Sequence, residues 1–474
     1  MGTHMATKNY TLFDNFELKG IWWLPETPDL QVTGTLKFEN ENDMSLDLLG
    51  TFREITTLGS GNIFQPEIIL GISDNGKICT LFKNIEVQNQ LNFPGIRKSK
   101  FRSNYLFIGK HFKNSEEVQF SSLQANFTNL ENWLAVSPFS QEIPKDTRDE
   151  FRLTHNWPSE FIAELSGINC IIESTHEFNI GGDSIKKVLW ESNAYLKITP
   201  YENKDFDWYW SLVYDLCNFL TLLIGDTIYI KRLKAIGDGE AAPGKNRRGT
   251  IEIFFTQKKY NPKENIHPFE MIIPFPRISE DVERVLSLWF AKAQQLRSVC
   301  YLFFGTFYNP SMYLQFQFLS LMQALESFHR VTKGGKYLSD VEWKPFREKL
   351  ANAIPAELEA SHRESLKSRI KYGNEYSLRK RISELLENLD EETLSRLSPT
   401  EKYFTGTIVD TRNYLTHYDD ELKDVALKNA DLYWAVQRLR ILISILLLKE
   451  IGVQEKLILN SMMENNKIGQ VLGK

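Results

Sequence analysis

The hydrophobic period of this chain changes once, near Pro274-Phe-Pro-Arg277, and that change limits what the chain can fold into more than any other feature. Before it, apolar residues recur at every second position, the period of a half-buried strand. After it they recur at three- and four-residue steps, the period of an amphipathic helix. The pattern predicts an α+β protein of two domains: a β-rich antiparallel domain over residues 6–278 and an all-α helical bundle over residues 279–474. The opening Met1-Gly-Thr-His-Met5 reads as a cloning remnant, so fold reasoning begins at residue 6.

In the first domain, Leu30, Val32, Leu36 and Phe38 share one parity. After Asn40-Glu-Asn-Asp43 so do Leu46, Leu48 and Phe52, which predicts a hairpin. Ile68-Ile-Leu-Gly-Ile72, Ile78-Cys-Thr-Leu-Phe82 after the Ser73-Asp-Asn-Gly76 turn, Tyr105-Phe107, Tyr195–Ile198 and Ile251–Phe255 read as further strands. Phe206–Ile224 is the one strong helix here, with Trp208, Leu212, Leu216, Phe219, Leu220 and Leu223 on one face. Trp22-Trp23 and Trp208-Tyr-Trp210 are read as core aromatics.

In the second domain, Val282, Val285, Leu286, Trp289, Leu296, Val299, Cys300 and Phe303 predict one long helix. Met312–Val331 is a second, with Phe316, Leu319, Leu325 and Phe328 apolar. Shorter charged helices follow, broken at Pro355, Gly373 and Ser398-Pro399. Long helices return over about Tyr403–Tyr418 and Leu422–Ile451, so the long helices make an antiparallel bundle of at least four.

With a net charge of -5 the chain is no general polycation, and any nucleic-acid site must be a local patch. No Walker loop, no G-x-G-x-x-G after a strand and no H-E-x-x-H is present, and the four cysteines form no C-x-x-C pair. No metal and no cofactor is expected. The longest apolar run, Ile441–Leu448, is too short to span a bilayer; together with the scattered cysteines it predicts a cytoplasmic protein without a membrane partner.

The stretch Asp410-Thr-Arg-Asn-Tyr-Leu-Thr-His417-Tyr-Asp419 carries the chemistry. The Arg412 guanidinium suits a phosphate with two parallel donors, while the imidazole of His417 can take or give a proton. At 100° per residue, Phe404, Ile408, Thr411, Leu415 and Tyr418 form the buried stripe, and Asp410, Asn413 and His417 lie opposite. Arg412 and His417 then diverge by about 140° on one straight helix. Either the helix ends or distorts near His417, or motifs from two copies meet in one cleft.

Arg412-Asn-Tyr-Leu-Thr-His417 resembles the R-x4-6-H motif of the HEPN family, including the polar residue after the arginine. The surrounding Asp410–Asp419 and Gln323-Ala-Leu-Glu-Ser-Phe-His-Arg330 resemble the ApeA-type branch. Phe13-Asp-Asn-Phe-Glu-Leu-Lys-Gly-Ile-Trp-Trp23, Val32-Thr-Gly-Thr-Leu-Lys-Phe38 and Leu46-Asp-Leu-Leu-Gly-Thr-Phe52 resemble an ApeA N-terminal domain.

The resemblance implies a metal-independent HEPN endoribonuclease of bacterial antiphage defence by abortive infection, cleaving RNA by 2'-OH attack to leave a 2',3'-cyclic phosphate. A sensing or restraining N-terminal domain would answer a phage-derived trigger. Arg412 would clamp the scissile phosphate and His417 would move protons. Asn413 would orient His417, Glu326 would pair with Arg412, and Asp410 completes the set. The expected partners are RNA, transfer RNA among the options, and a second copy in a homodimer.

Arg369, Lys371, Arg379, Lys380 and Arg381 make the segment before the motif locally basic and form a candidate RNA grip, against interleaved Glu364, Glu375, Glu384 and Glu387 that suit a solvated face. Lys231, Arg232 and Lys234 with Lys245, Arg247 and Arg248 are a second basic candidate. His329 is read as structural. The competing functional class is a non-catalytic HEPN-type module binding RNA or protein in a defence or toxin-antitoxin complex; a peptide- or sugar-binding β-domain with oligomerising helices is a third.

Overall fold

The computed structural model describes residues 10–53, 63–90, 94–142, 151–182, 186–237, 249–259, 262–398 and 401–473, the side chains of 401–403 excepted. Its contacts divide the chain into two units, Met1–Phe290 and Ala291–Lys474.

The first unit is built on one 12-stranded antiparallel sheet. Six strands come first: β1 (Phe16–Leu24), β2 (Thr27–Phe38), β3 (Met44–Leu48), β4 (Ile68–Ser73), β5 (Ile78–Gln90) and β6 (Lys98–Ile108). They run in the order β6-β3-β2-β1-β4-β5, and β5 pairs back onto β6, so the six close into a barrel. Closure removes the free edges. The predicted hairpin is β2–β3, in register from Gly34↔Leu48 to Phe38↔Met44. The β6 strand is the junction. One edge pairs with β5 along its length, while the other is shared between β3 at Ser99–Arg102 and a later strand at Leu106–Ile108.

Trp22 lies inside this barrel with no exposed surface, its indole N–H donating to Gly34 O at 3.3 Å. Gly71 is obligatory against it, because a Cβ there would sit 2.3 Å from the indole ring. Trp23 points the other way, edge-on to His111 at 5.3 Å. Thus one ring of the pair is core and the other a packed edge.

From the junction the chain continues through β7 (Gln119–Phe120), β8 (Ser122–Phe127), β9 (Phe139–Glu142), β10 (Arg152–His155), β11 (Ile162–Leu165), β12 (Cys170–Gly182), β13 (Val188–Pro200), β14 (Lys204–Asp205), β15 (Ile230–Ile236) and β16 (Thr250–Phe254). Of these, β16, β15, β8, β13, β12 and β11 extend the sheet in that order from β6, and β9–β10 and β7–β14 are separate ribbons. Between them lie α1 (Leu130–Leu134) and the predicted helix, α2 (Phe206–Ile224), bracketed as its sequence requires. Asp205 accepts from the Trp208 N–H at 2.8 Å at the start, and Gly225 at φ 81 ends it.

The predicted long helix after the prolines is two helices, α3 (Val282–Ala293) and α4 (Arg297–Tyr308). No Pro or Gly marks the turn between them, so the apolar period runs across it. Trp289 donates its indole N–H to Asp215 O at 3.0 Å and packs on Phe219 at 5.7 Å, which keeps the body of α3 with α2. The contact division after Phe290 therefore falls beyond the proline-rich stretch where the period changes.

The second unit holds α4, α5 (Leu314–Lys333), α6 (Asp340–Asn352), α7 (Ala360–Lys371), α8 (Leu378–Glu387), α9 (Glu391–Leu397), α10 (Glu401–His417), α11 (Asn429–Glu450), α12 (Glu455–Glu464) and α13 (Asn466–Leu472). Here α5 packs against α4, α8, α10 and α11. In α11 every residue from Ile441 to Leu448 is buried, the mark of a helix at the centre of a bundle. Among the described residues no helix is long and apolar enough to cross a membrane. The buried stripe of α5 is Phe318, Leu321, Leu325 and Phe328; Phe316, expected to be apolar core, is 59% exposed.

Candidate functional site

The Arg-His motif occupies the last two turns of α10. Phe404, Ile408 and Thr411 are buried, as the helical spacing predicts. Thr411 does more than pack: its hydroxyl donates to Thr407 O at 2.7 Å and accepts the Leu427 N–H at 3.0 Å, fastening the loop after α10 back onto the helix. Tyr418 departs from the expected stripe. It takes the left-handed conformation at φ 53 and is 70% exposed, because the helix stops at His417. The helix ends at His417, so both motif residues still stand on helical backbone.

Arg412 is half-buried and His417 exposed. The Arg412 Nη1–H donates to Asn413 Oδ1 at 3.2 Å, so the described bond of Asn413 is to the arginine and not to His417, the partner expected for it. The His417 ring has no hydrogen-bond partner among the described residues. Thr416 donates to Arg412 O at 2.7 Å and tightens the turn between them. An exposed imidazole and a guanidinium held by one neutral amide leave donors and acceptors available to an incoming anion.

Asp410 accepts from Arg379 Nη2 at 2.9 Å, tying α10 to the start of α8. Glu326 is not Arg412's partner. It pairs with Arg330 at 3.0 Å, one turn on along α5, and Arg330 also reaches Glu375 at 2.6 Å.

The basic candidates separate. Arg369 and Lys371 are exposed on α7. Arg379 is engaged with Asp410, and Lys380 stands 4.1 Å over the Tyr376 ring and 4.8 Å over Tyr337. Arg381 is withdrawn from the RNA set: it is 1% exposed. It donates to Tyr376 O, Gly334 O and Gly335 O and to His329 Nδ1 at 3.1 Å. Burial, with Arg330 nearby, pulls its pKa below the ordinary guanidinium range. The interleaved carboxylates that resembled a solvated face are in part its counter-charges, with Glu375 at 3.6 Å.

His329 is fully buried and structural. Arginine has no acceptor, so Nδ1 must accept from Arg381, and Nε2–H then donates to Glu384 at 2.8 Å. The signal for this cluster was Lys333-Gly-Gly335, where both glycines have positive φ and a Cβ at Gly335 would strike the Arg381 guanidinium.

Of the second basic group, Lys234 is paired with Glu177 at 2.6 Å, while Lys245, Arg247 and Arg248 lie outside the described residues. The four cysteines are free; burial pushes Cys79 and Cys170 up to about 12, far from a reactive thiolate. Among the described residues no group of three His, Cys, Asp or Glu is arranged to hold a metal ion.

Two family models match this chain. One described as ApeA N-terminal domain 1 matches residues 17–289, more than half of the 474, and one described as Apea-like HEPN matches residues 319–457, which include Arg412 and His417. No curated protein and no solved structure matches.

Proposed function

Because the chain belongs to the ApeA family, joining an ApeA N-terminal domain to an Apea-like HEPN domain, we propose that it is a metal-independent endoribonuclease of an antiphage system. Family membership supports a HEPN nuclease; the residues that would perform the chemistry are Arg412 and His417. The observation that carries this reading is the open state of the pair at a helix end inside the HEPN match, with His417 exposed and its ring unengaged among the described residues.

In the proposed reaction His417 takes the proton of a ribose 2'-OH as the 2'-oxygen bonds to phosphorus and the bond from phosphorus to the 5'-oxygen breaks. Arg412 neutralises the charge that grows on the non-bridging oxygens. The leaving 5'-oxygen takes a proton, and the products are a 2',3'-cyclic phosphate and a 5'-OH. In a homodimer two motifs share one cleft, so one imidazole serves as base and the other as acid. Asn413 acts as a positioning residue on Arg412, and Asp410 steadies α10 through Arg379. Arg369 and Lys371 guide the RNA backbone.

The N-terminal domain would hold the nuclease idle in the cytoplasm until a phage-derived trigger releases it. End-group analysis of RNA from cells expressing the protein during phage infection tests the reaction. Cyclic phosphate and 5'-OH ends that vanish with Arg412→Ala are expected; 5'-phosphate ends, or cleavage that magnesium restores after EDTA, would overturn it.

A further inference from the structure

The outer wall of the barrel carries a cleft of about 530 Å³ that the nuclease reading does not use. Among the described residues four lysines line it, Lys19, Lys37, Lys98 and Lys100, against a single carboxylate, Asp47. Strand alternation turns all four outward. Lys19 follows Leu18, Lys37 lies between Leu36 and Phe38, and Lys100 lies between Ser99 and Phe101, each of these neighbours being buried.

The register places Lys19 and Lys100 in one row across the sheet, with Lys98 and Lys37 in the rows on either side of it. One row runs from Lys19 through Thr35 and Asp47 to Lys100 and Gln88, by the pairings Lys19↔Thr35, Thr35↔Asp47, Asp47↔Lys100 and Gln88↔Lys100. A second, two residues along β6, pairs Lys98 with Gln90. Adjacent rows are thus about 6.6 Å apart, comparable to the separation of successive phosphates in an extended nucleic-acid strand.

Two of the lysines are committed only loosely, Lys100 to Asp47 at 3.5 Å and Lys37 to Glu17 at 3.8 Å. Lys19 and Lys98 have no ion-pair partner among the described residues. Like charges gathered on one face repel unless an anion lies between them, and the amides of Gln88 and Gln90 add donors suited to phosphate oxygens. Among the described residues no aromatic ring lines the cleft, and those that do line it suit a ligand held through its backbone charge.

We propose that this barrel face is a sequence-independent binding site for single-stranded nucleic acid, gripped through its phosphates by Lys19, Lys98, Lys100 and Lys37. A single strand can bend along the curved wall, where a stiff duplex meets it at few points. The site belongs to the N-terminal domain and does not depend on the Arg412–His417 chemistry.

The test uses the full chain and a fluorescein-labelled oligodeoxythymidine of about a dozen nucleotides, which lacks the 2'-OH and cannot be cleaved by the proposed reaction. Anisotropy titrations across a salt series compare the wild type with the Lys19→Ala/Lys98→Ala double variant, whose lysines have no ion pair to lose. The double variant should bind at least tenfold more weakly, with a log K against log salt slope shallower by about 1.4, two phosphates at about 0.7 each. The Lys19→Arg/Lys98→Arg variant should restore the slope, which separates lost charge from lost folding. Equal affinity and slope for wild type and double variant would overturn the site, as would no binding at low salt. Competition by polyglutamate or thymidine monophosphate as effective as by unlabelled strand would also overturn it.

Discussion

The helical unit contains two arginine-histidine pairs, and they are opposites. Arg381 and His329 are buried and bonded to one another, with carbonyls and carboxylates taking the remaining donors. Arg412 and His417 lie toward solvent, bonded to one amide and to nothing described, respectively. The residue types are the same, so composition cannot tell a fold-holding pair from a reacting one. What differs is satisfaction. A guanidinium whose donors are all used inside the protein has nothing left for a ligand, while one held at a single point can exchange that bond for a phosphate.

This contrast predicts opposite responses to the same substitution. The largest stability effect belongs to Arg381→Ala, which strips His329, Glu375 and two glycine carbonyls of a buried partner and should cost about 3–5 kcal/mol, read as a lowered midpoint in urea. A loss under about 1 kcal/mol would mean that the buried cluster does not hold the helices. His329→Leu keeps the volume near constant but leaves Glu384 and one Arg381 donor without their partner. A loss of about 1–3 kcal/mol is expected, and a neutral result would show that water replaces the ring.

At the open pair, Asn413→Ala should leave stability within about 0.5 kcal/mol and slow cleavage by weakening the hold on Arg412, raising KM more than it lowers kcat. Rescue by Asn413→Gln would strengthen the positioning role; an unchanged KM would remove it. Asp410→Ala should also cost little stability, since its ion pair with Arg379 is exposed enough for solvent to screen it to about 0–1 kcal/mol. Thermal melting of Asp410→Ala and Arg379→Ala, singly and together, checks this; a coupling well above 1 kcal/mol would make the tether structural.

Much of the fold was legible because local rules and tertiary context agree. Alternation over Val32–Phe38 and Leu46–Leu48 predicts the hairpin, and Asp205 and Gly225 bracket α2. Barrel closure was not legible, since it depends on β6 pairing with β5 on one edge and β3 on the other, and no residue signals that. The turn between α3 and α4 escaped because nothing in its chemistry interrupts the apolar period.

At the site, the motif helix and its buried stripe were legible as far as Thr411. Tyr418 was misplaced because periodicity carries no stop signal where the residue in left-handed conformation is not glycine. Arg381 looked like surface for a related reason: charges interleaved along a helix read as solvated until a second element brings their counter-charges inward. The lysine rows of the barrel are scattered through the sequence, and only strand register assembles them.

The claim at the centre of this account is that the open pair performs chemistry that the buried pair does not. It is tested most directly by measuring, on one purified protein series, both RNA cleavage and unfolding free energy for Arg412→Ala and His417→Ala. The account predicts that each keeps wild-type stability within about 1 kcal/mol while cleavage falls at least 10²-fold, about the contribution of a positioned acid or base. Wild-type cleavage by either folded variant would contradict it.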